Sequence, residues 1–225
     1  MAISSLHHWN VSPAEAMRLQ AELRPRIERE DRLGPVRTVA GIDLGIRGVW
    51  ARAAIVVLSY PGLALVETSI IEEPVTFPYV PGLLAFREGP AIVAAYQRLR
   101  QQPDLLIFDG HGLAHPRRMG LASHLGLVLD RPSIGCAKSR LCGEHGVPGD
   151  APGSWSPLVD GNETIGASVR TRSGARPVYV STGHRVCLAT AISFVLACCR
   201  GFRLPEPTRQ AHLAGRLPGP AGTPV

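Results

Sequence analysis

The chain has 225 residues, 45% of them apolar, enough for one large domain with a sizeable buried core. Its longest apolar run, 14 residues from Val186 to Cys199, is interrupted by Thr190 and Ser193 and is too short to span a membrane, and the opening MAISSLHHWN lacks the basic and apolar regions of a secretion signal. A formal charge of +6, made of 23 arginines and the single Lys138 against 18 acids, points to a polyanionic partner, with nucleic acid first.

Ser12-Pro13-Ala14-Glu15 carries a helix start, and the pattern predicts a helix over 13–32, kinked at Pro25 and ended by Gly34-Pro35. Three β-branched runs follow at 37–44, 50–59 and 64–72, separated by Gly48 and by Pro61-Gly62, and read as an antiparallel meander. The stretch 78–102 is expected to be helical in its second half, with Ile92, Val93, Tyr96 and Leu99 at helical spacing and a break at Gly89-Pro90. LLIFDG at 105–110 is continuously apolar up to its acid, as a strand covered on both faces should be. Further expectations are helices near 119–128, 186–200 and 207–215, strands at 132–137, 163–171 and 177–182, and a loop over 143–157. Residues 1–216 then form a single domain, followed by a disordered tail over 217–225. This order predicts an α/β fold: a mixed sheet, antiparallel meander plus parallel strands, with helices on both faces, the ribonuclease H-like arrangement. Five cysteines without paired CxxC spacing predict reduced thiols and a cytoplasmic location, and the absence of any coiled-coil pattern predicts a monomer.

Asp43 and Asp109 each end an apolar strand, so rigid elements would deliver both carboxylates to one sheet terminus. Hard divalent cations prefer such oxygen ligands, with Glu88 in AFREGP as a third acid beside the sheet. Between 109 and 126, His111, His115 and His124 lie close to Asp109, although Gly112 and Pro116 argue against a helical zinc spacing. His124 reads as a packed helix-face histidine, and His184, where a strand hands over to a helix, as structural.

The segments VAGIDLG, PYVPGLLAFREGP, DGHGLAHPRRMGLASHLG, GCAKSRL, RPVYVSTGHRV and PTRQAH recur in an order that resembles the endonuclease V family, across residues 12–215. The resemblance implies a ribonuclease H-like, Mg²⁺-dependent endonuclease, with Mn²⁺ as a substitute, that recognises deoxyinosine in DNA and cuts the second phosphodiester 3′ to it. It carries the metal role to Asp43, Glu88 and Asp109, catalytic positions to Lys138 and His212, and the strand wedge to Tyr79. Gly82, Leu84, Gly110 and His115 would line the pocket for the flipped base. Where many relatives carry an aromatic residue shortly after the first metal acid, this chain has Leu44-Gly45-Ile46.

Three alternatives stand beside this expectation. An endoribonuclease acting at inosine in RNA would share the chemistry. A non-catalytic ribonuclease H-like binding module would gain by losing its acids near phosphate, and a resolvase or transposase core would share the acids but not the PYVP and GHGLAHP blocks.

Overall fold

The computed structural model describes residues 6–216; the tail expected over 217–225 lies outside them. Strand β4 (Leu105–Phe108) is apolar at every position because it is covered twice: Leu105 and Ile107 enter one core, Leu106 and Phe108 the other. On either side of it, β1 (Thr38–Arg47) and β5 (Ser133–Ala137) run parallel to it. Beyond β1 lie β2 (Trp50–Ser59) and β3 (Leu65–Pro74), both antiparallel, so the expected meander is present. Beyond β5 come, in order outward, β9 (Val178–His184), β8 (Glu163–Val169), β7 (Trp155–Asp160) and β6 (Glu144–His145), all antiparallel. One mixed sheet of nine strands results among the described residues.

Helices α2 (Leu84–Gln97) and α3 (Leu121–Leu129) close one face of the sheet, and α4 (Leu188–Ala197) and α5 (Glu206–Gly215) the other. Helix α1 (Pro13–Leu23) opens with a capping box, Ser12 and Glu15 exchanging hydrogen bonds of 2.8 and 3.3 Å. All five cysteines are free, and no helix of the described residues is long and apolar enough to cross a membrane.

Three expectations need correction. Helix α1 is not kinked at Pro25 but ends at Leu23, passing into a 3₁₀ turn over Arg24–Arg26, because proline removes a donor and restricts the residue before it. Helix α2, by contrast, runs unbroken through Gly89-Pro90. Burial of Ala85, Phe86, Ala91, Ile92, Ala95 and Tyr96 outweighs the roughly 3 kcal/mol penalty of an interior proline. Gly89 also lets Trp9 pack against the helix: a Cβ there would come within 2.5 Å of the indole. Finally, the expected loop 143–157 contains β6 and the start of β7, whose only fully buried residue is Leu158 and whose Pro157 hides the strand pattern.

Candidate active site

Alternation along β1 turns Ile42 toward α2 and α3, and Gly41 and Asp43 toward α5. At Gly41 the α5 backbone lies directly on the strand, since a Cβ would fall 1.9 Å from the Pro207 carbonyl oxygen. This close seat brings His212, near the end of α5, to Asp43: His212 Nδ1 lies 2.8 Å from Asp43 Oδ2 and donates to it. Asp109, just beyond β4, is fixed beside Asp43 by its own N–H, which bonds the Ile42 carbonyl at 2.9 Å and extends the ladder. Lys138, just beyond β5, pairs with Asp109 Oδ2, and its Nζ stands 3.5 Å from His212 Nδ1.

Ligand atoms of Asp43, Asp109 and His212 all lie within 4.8 Å of one another, the one such cluster among the described residues. Glu88 stands outside this compact group, half-buried on α2, yet it feels both acids. Burial first, then the charges of Asp43 and Asp109, push its carboxyl up to about 8. Burial also raises the Asp109 carboxyl, with Lys138 opposing and Asp43 adding to the rise. Three carboxylates gathered against one ammonium is an arrangement that a hard divalent cation would relieve, and its oxygen donors suit Mg²⁺ or Mn²⁺. The donor set fits that ion.

Beside this cluster is a cavity of about 280 Å³, near the lower end of small-ligand pockets at roughly 300 Å³, lined by Tyr79, Gly82, Leu84, Gly110, His111 and His115 among others. Every residue expected in the base pocket is in its wall. Tyr79 is 72% exposed at its mouth. The loop carrying it is pinned at Gly82, whose φ is +79° and whose carbonyl accepts from Gln20 Nε2 (3.0 Å), His115 Nε2 (2.9 Å) and Arg117 Nη2 (2.8 Å).

These bonds settle what His115 can do. A carbonyl only accepts, so Nε2 carries the proton; Nδ1 accepts the Arg117 backbone N–H at 3.1 Å. Burial holds the ring neutral by pulling its pKa down to about 4. Both nitrogens are thus committed inside the protein, and His115 shapes the cavity as an anchor, with no free group to read a base edge. His111 similarly ties the loop after Asp109 to the loop after Lys138, its Nε2 donating to the Ser139 carbonyl at 2.9 Å.

His124 and His184 are structural, as expected. Burial lowers His124 to about 3; it is fully buried, stacks on Trp9, and contacts His7 at 2.6 Å. Burial likewise lowers His184 to about 4, and its Nδ1 accepts the Glu28 N–H at 3.2 Å.

Sequence reasoning missed Gln20 and Arg117 as the anchors of the Tyr79 loop. Gln20 is 1% exposed, and its amide also donates to Met119 O and accepts from Arg117 Nε, so it joins α1 to both walls of the cavity. The available signal was a lone glutamine at a helix position where an apolar residue belongs.

The sequence model of the endonuclease V family matches residues 21–213. An endonuclease V from Roseiflexus sp. (strain RS-1) is 55% identical over 213 residues, which is 93% of this chain and 96% of the relative. The crystal structure of endonuclease V from Streptomyces avermitilis superposes with a TM-score of 0.88 at 42% identity, covering 92% of each chain. Endonuclease V of Ciona intestinalis, crystallised with a 24mer DNA containing an inosine followed by a ribo-adenosine, gives a TM-score of 0.80 at 30% identity, over 90% of this chain and 95% of that one. The chain belongs to the endonuclease V family.

Proposed function

We propose that this protein is a metal-dependent DNA repair endonuclease that recognises deoxyinosine and hydrolyses the second phosphodiester bond 3′ to the hypoxanthine, working in the cytoplasm as a monomer of one catalytic domain. The observation that carries the reading is the junction of an acid cluster with a walled cavity: Asp43, Asp109, His212 and Lys138 on one side, the Tyr79–Leu84 and Gly110–His115 segments on the other. The Ciona relative's complex with inosine-containing DNA supports the choice of lesion.

Asp43, Asp109 and Glu88 would hold Mg²⁺, with Mn²⁺ as a substitute. Bound there, the ion supplies Lewis-acid polarisation of the phosphate and a water acidic enough to attack at neutral pH. Lys138 offers a compact ammonium to the negative charge that grows on the phosphate. His212 orients the Asp43 carboxylate through its Nδ1–H. Tyr79 fills the gap left in the duplex as the base leaves the stack, a displacement that costs a few kcal/mol and least for a weakly paired base.

Labelled DNA and RNA oligonucleotides with and without inosine, each incubated with Mg²⁺, Mn²⁺ or chelator, test the reading. Metal-dependent cutting at the second phosphodiester 3′ to deoxyinosine is expected. Chelator-resistant cutting, or equal cutting of undamaged DNA, would overturn it. Because the Ciona complex carries a ribo-adenosine after its inosine, an inosine-directed endoribonuclease is the second reading, and faster cutting of the RNA substrate would favour it.

A further inference from the structure

Next to the acid cluster, on the side of the sheet formed by β6 to β9, a groove of about 360 Å³ is lined by Lys138, Arg140, Arg170, Arg176 and Arg203 and by no acidic residue. Arg203 donates through Nε to the Arg176 carbonyl at 2.9 Å and through Nη2 to the carbonyls of Pro177 (2.9 Å) and Lys138. Arg170 donates to the carbonyls of Gly149 (3.2 Å), Pro148 (3.3 Å) and Ala175, and Asp150 lies 3.9 Å from it. Arg140 donates to Gly143 O at 2.8 Å. Neutral carbonyls fix the Arg140 and Arg203 guanidinium groups in place without cancelling their charge. Among the described residues no carboxylate pairs with Arg140, Arg176 or Arg203. Arg176 is exposed at the lip.

The groove is continuous with both parts of the site. Lys138 also lines the space around Asp43 and His212, and Ser139 and Arg140 also line the cavity behind Tyr79. Arg140, Arg176 and Arg203, which have no carboxylate partner among the described residues, lead away from a phosphodiester-cutting centre, and such a row of cations fits a chain of phosphates.

We propose that this groove binds the sugar-phosphate backbone of one flank of the nucleic acid, with Arg140 and Arg176 meeting phosphates while Arg170 and Arg203 hold the walls and supply field. The proposal rests on the endonuclease reading for its substrate, but backbone contacts carry no sequence information, so undamaged DNA tests it separately.

The experiment measures binding of Arg176→Ala and Arg176→Lys to an undamaged duplex and to the same duplex with one inosine, as a function of salt. Arg176→Ala should weaken both by about fivefold to tenfold at 0.1 M salt and lower the slope of log K against log salt by about 1, with Arg176→Lys restoring most of the loss. Arg100→Ala, which removes an exposed charge beyond α2, should change neither by more than about twofold. Inosine duplexes shortened on the 5′ or the 3′ side identify the flank: the Arg176 deficit disappears when the strand in the groove is removed. Wild-type affinity and slope in Arg176→Ala would overturn the groove contact, as would a deficit that survives removal of both flanks. Failure of the wild type to prefer inosine would instead overturn the lesion reading and leave the groove test intact.

Discussion

Strand β4 is flanked by an aspartate on each side, and the two are built for opposite ends. At its start, Asp104 accepts the N–H groups of Arg37 (2.8 Å) and Thr38 (2.9 Å) and the Thr38 hydroxyl (3.0 Å), so one carboxylate Oδ2 ties β4 to β1. At its finish, Asp109 faces a second carboxylate and a lysine, with the half-buried Glu88 within reach of its charge. The cavities follow the same division. The larger, about 760 Å³, lies by Asp104 and is ringed by charges already spent on each other, such as Arg185 with Glu28 and Asp130. The smaller lies by Asp109. Unresolved charge, more than volume, sets apart the end of the sheet proposed to work.

If that division is sound, substitutions at the Asp109 end should damage reaction and spare the fold, and those at the Asp104 end the reverse. The largest effect is expected for Asp109→Ala or Asp43→Ala: metal-dependent cleavage falls by several orders of magnitude, while binding to inosine-containing DNA survives, since a metal-free carboxylate repels phosphate. Single-turnover cleavage beside a binding assay checks this, and near wild-type cutting by either variant would refute the assignment. Lys138→Arg keeps the charge but enlarges and flattens it, and a displacement of about 1 Å can cost about a hundredfold in rate. Unchanged turnover would reduce Lys138 to a generic phosphate anchor.

Asp104→Ala should lower stability by about 1–3 kcal/mol in denaturant unfolding, with the cleavage rate of the folded protein retained. Smaller and more diagnostic is the pH response of Glu88. Its folded pKa of about 8 lies above the ordinary 4.5, so its contribution to metal-free stability is full below 4.5 and is lost as pH rises through 8. Glu88→Gln should therefore raise the melting temperature of the metal-free protein at pH 8 to 9, have little effect near pH 4, and weaken metal-dependent cleavage. A melting temperature unchanged at pH 9 would mean that the acids do not strain one another.

Part of the acid cluster is legible because alternation and strand-end acids are local signals: Asp109 follows from LLIFDG as the acid just beyond β4, whereas Asp43, expected to end its strand, lies inside β1, which runs on to Arg47 beside β2. The route by which His212 reaches Asp43 is not legible, because it depends on a contact between residues 169 apart, made through a glycine whose importance appears only when α5 lies on it. Gly89-Pro90 misled for a related reason. Read locally it is a break; in the fold Gly89 is the seat of Trp9 and the helix is held by its burial. The strands β6 and β7 escaped notice because little of either is buried, which leaves no alternation to find.

The docking of α5 at Gly41 also has a meaning in the time order of synthesis. Domains are made from the N-terminus, so Asp43, Glu88, Asp109 and Lys138 all leave the ribosome before His212 does. A chain stopped short of residue 206 holds the acids but has neither the imidazole on Asp43 nor the helix that packs on β1 and β2. Such an unfinished chain leaves that face of the sheet open, and regions that lack their packing partner are the ones proteases reach first.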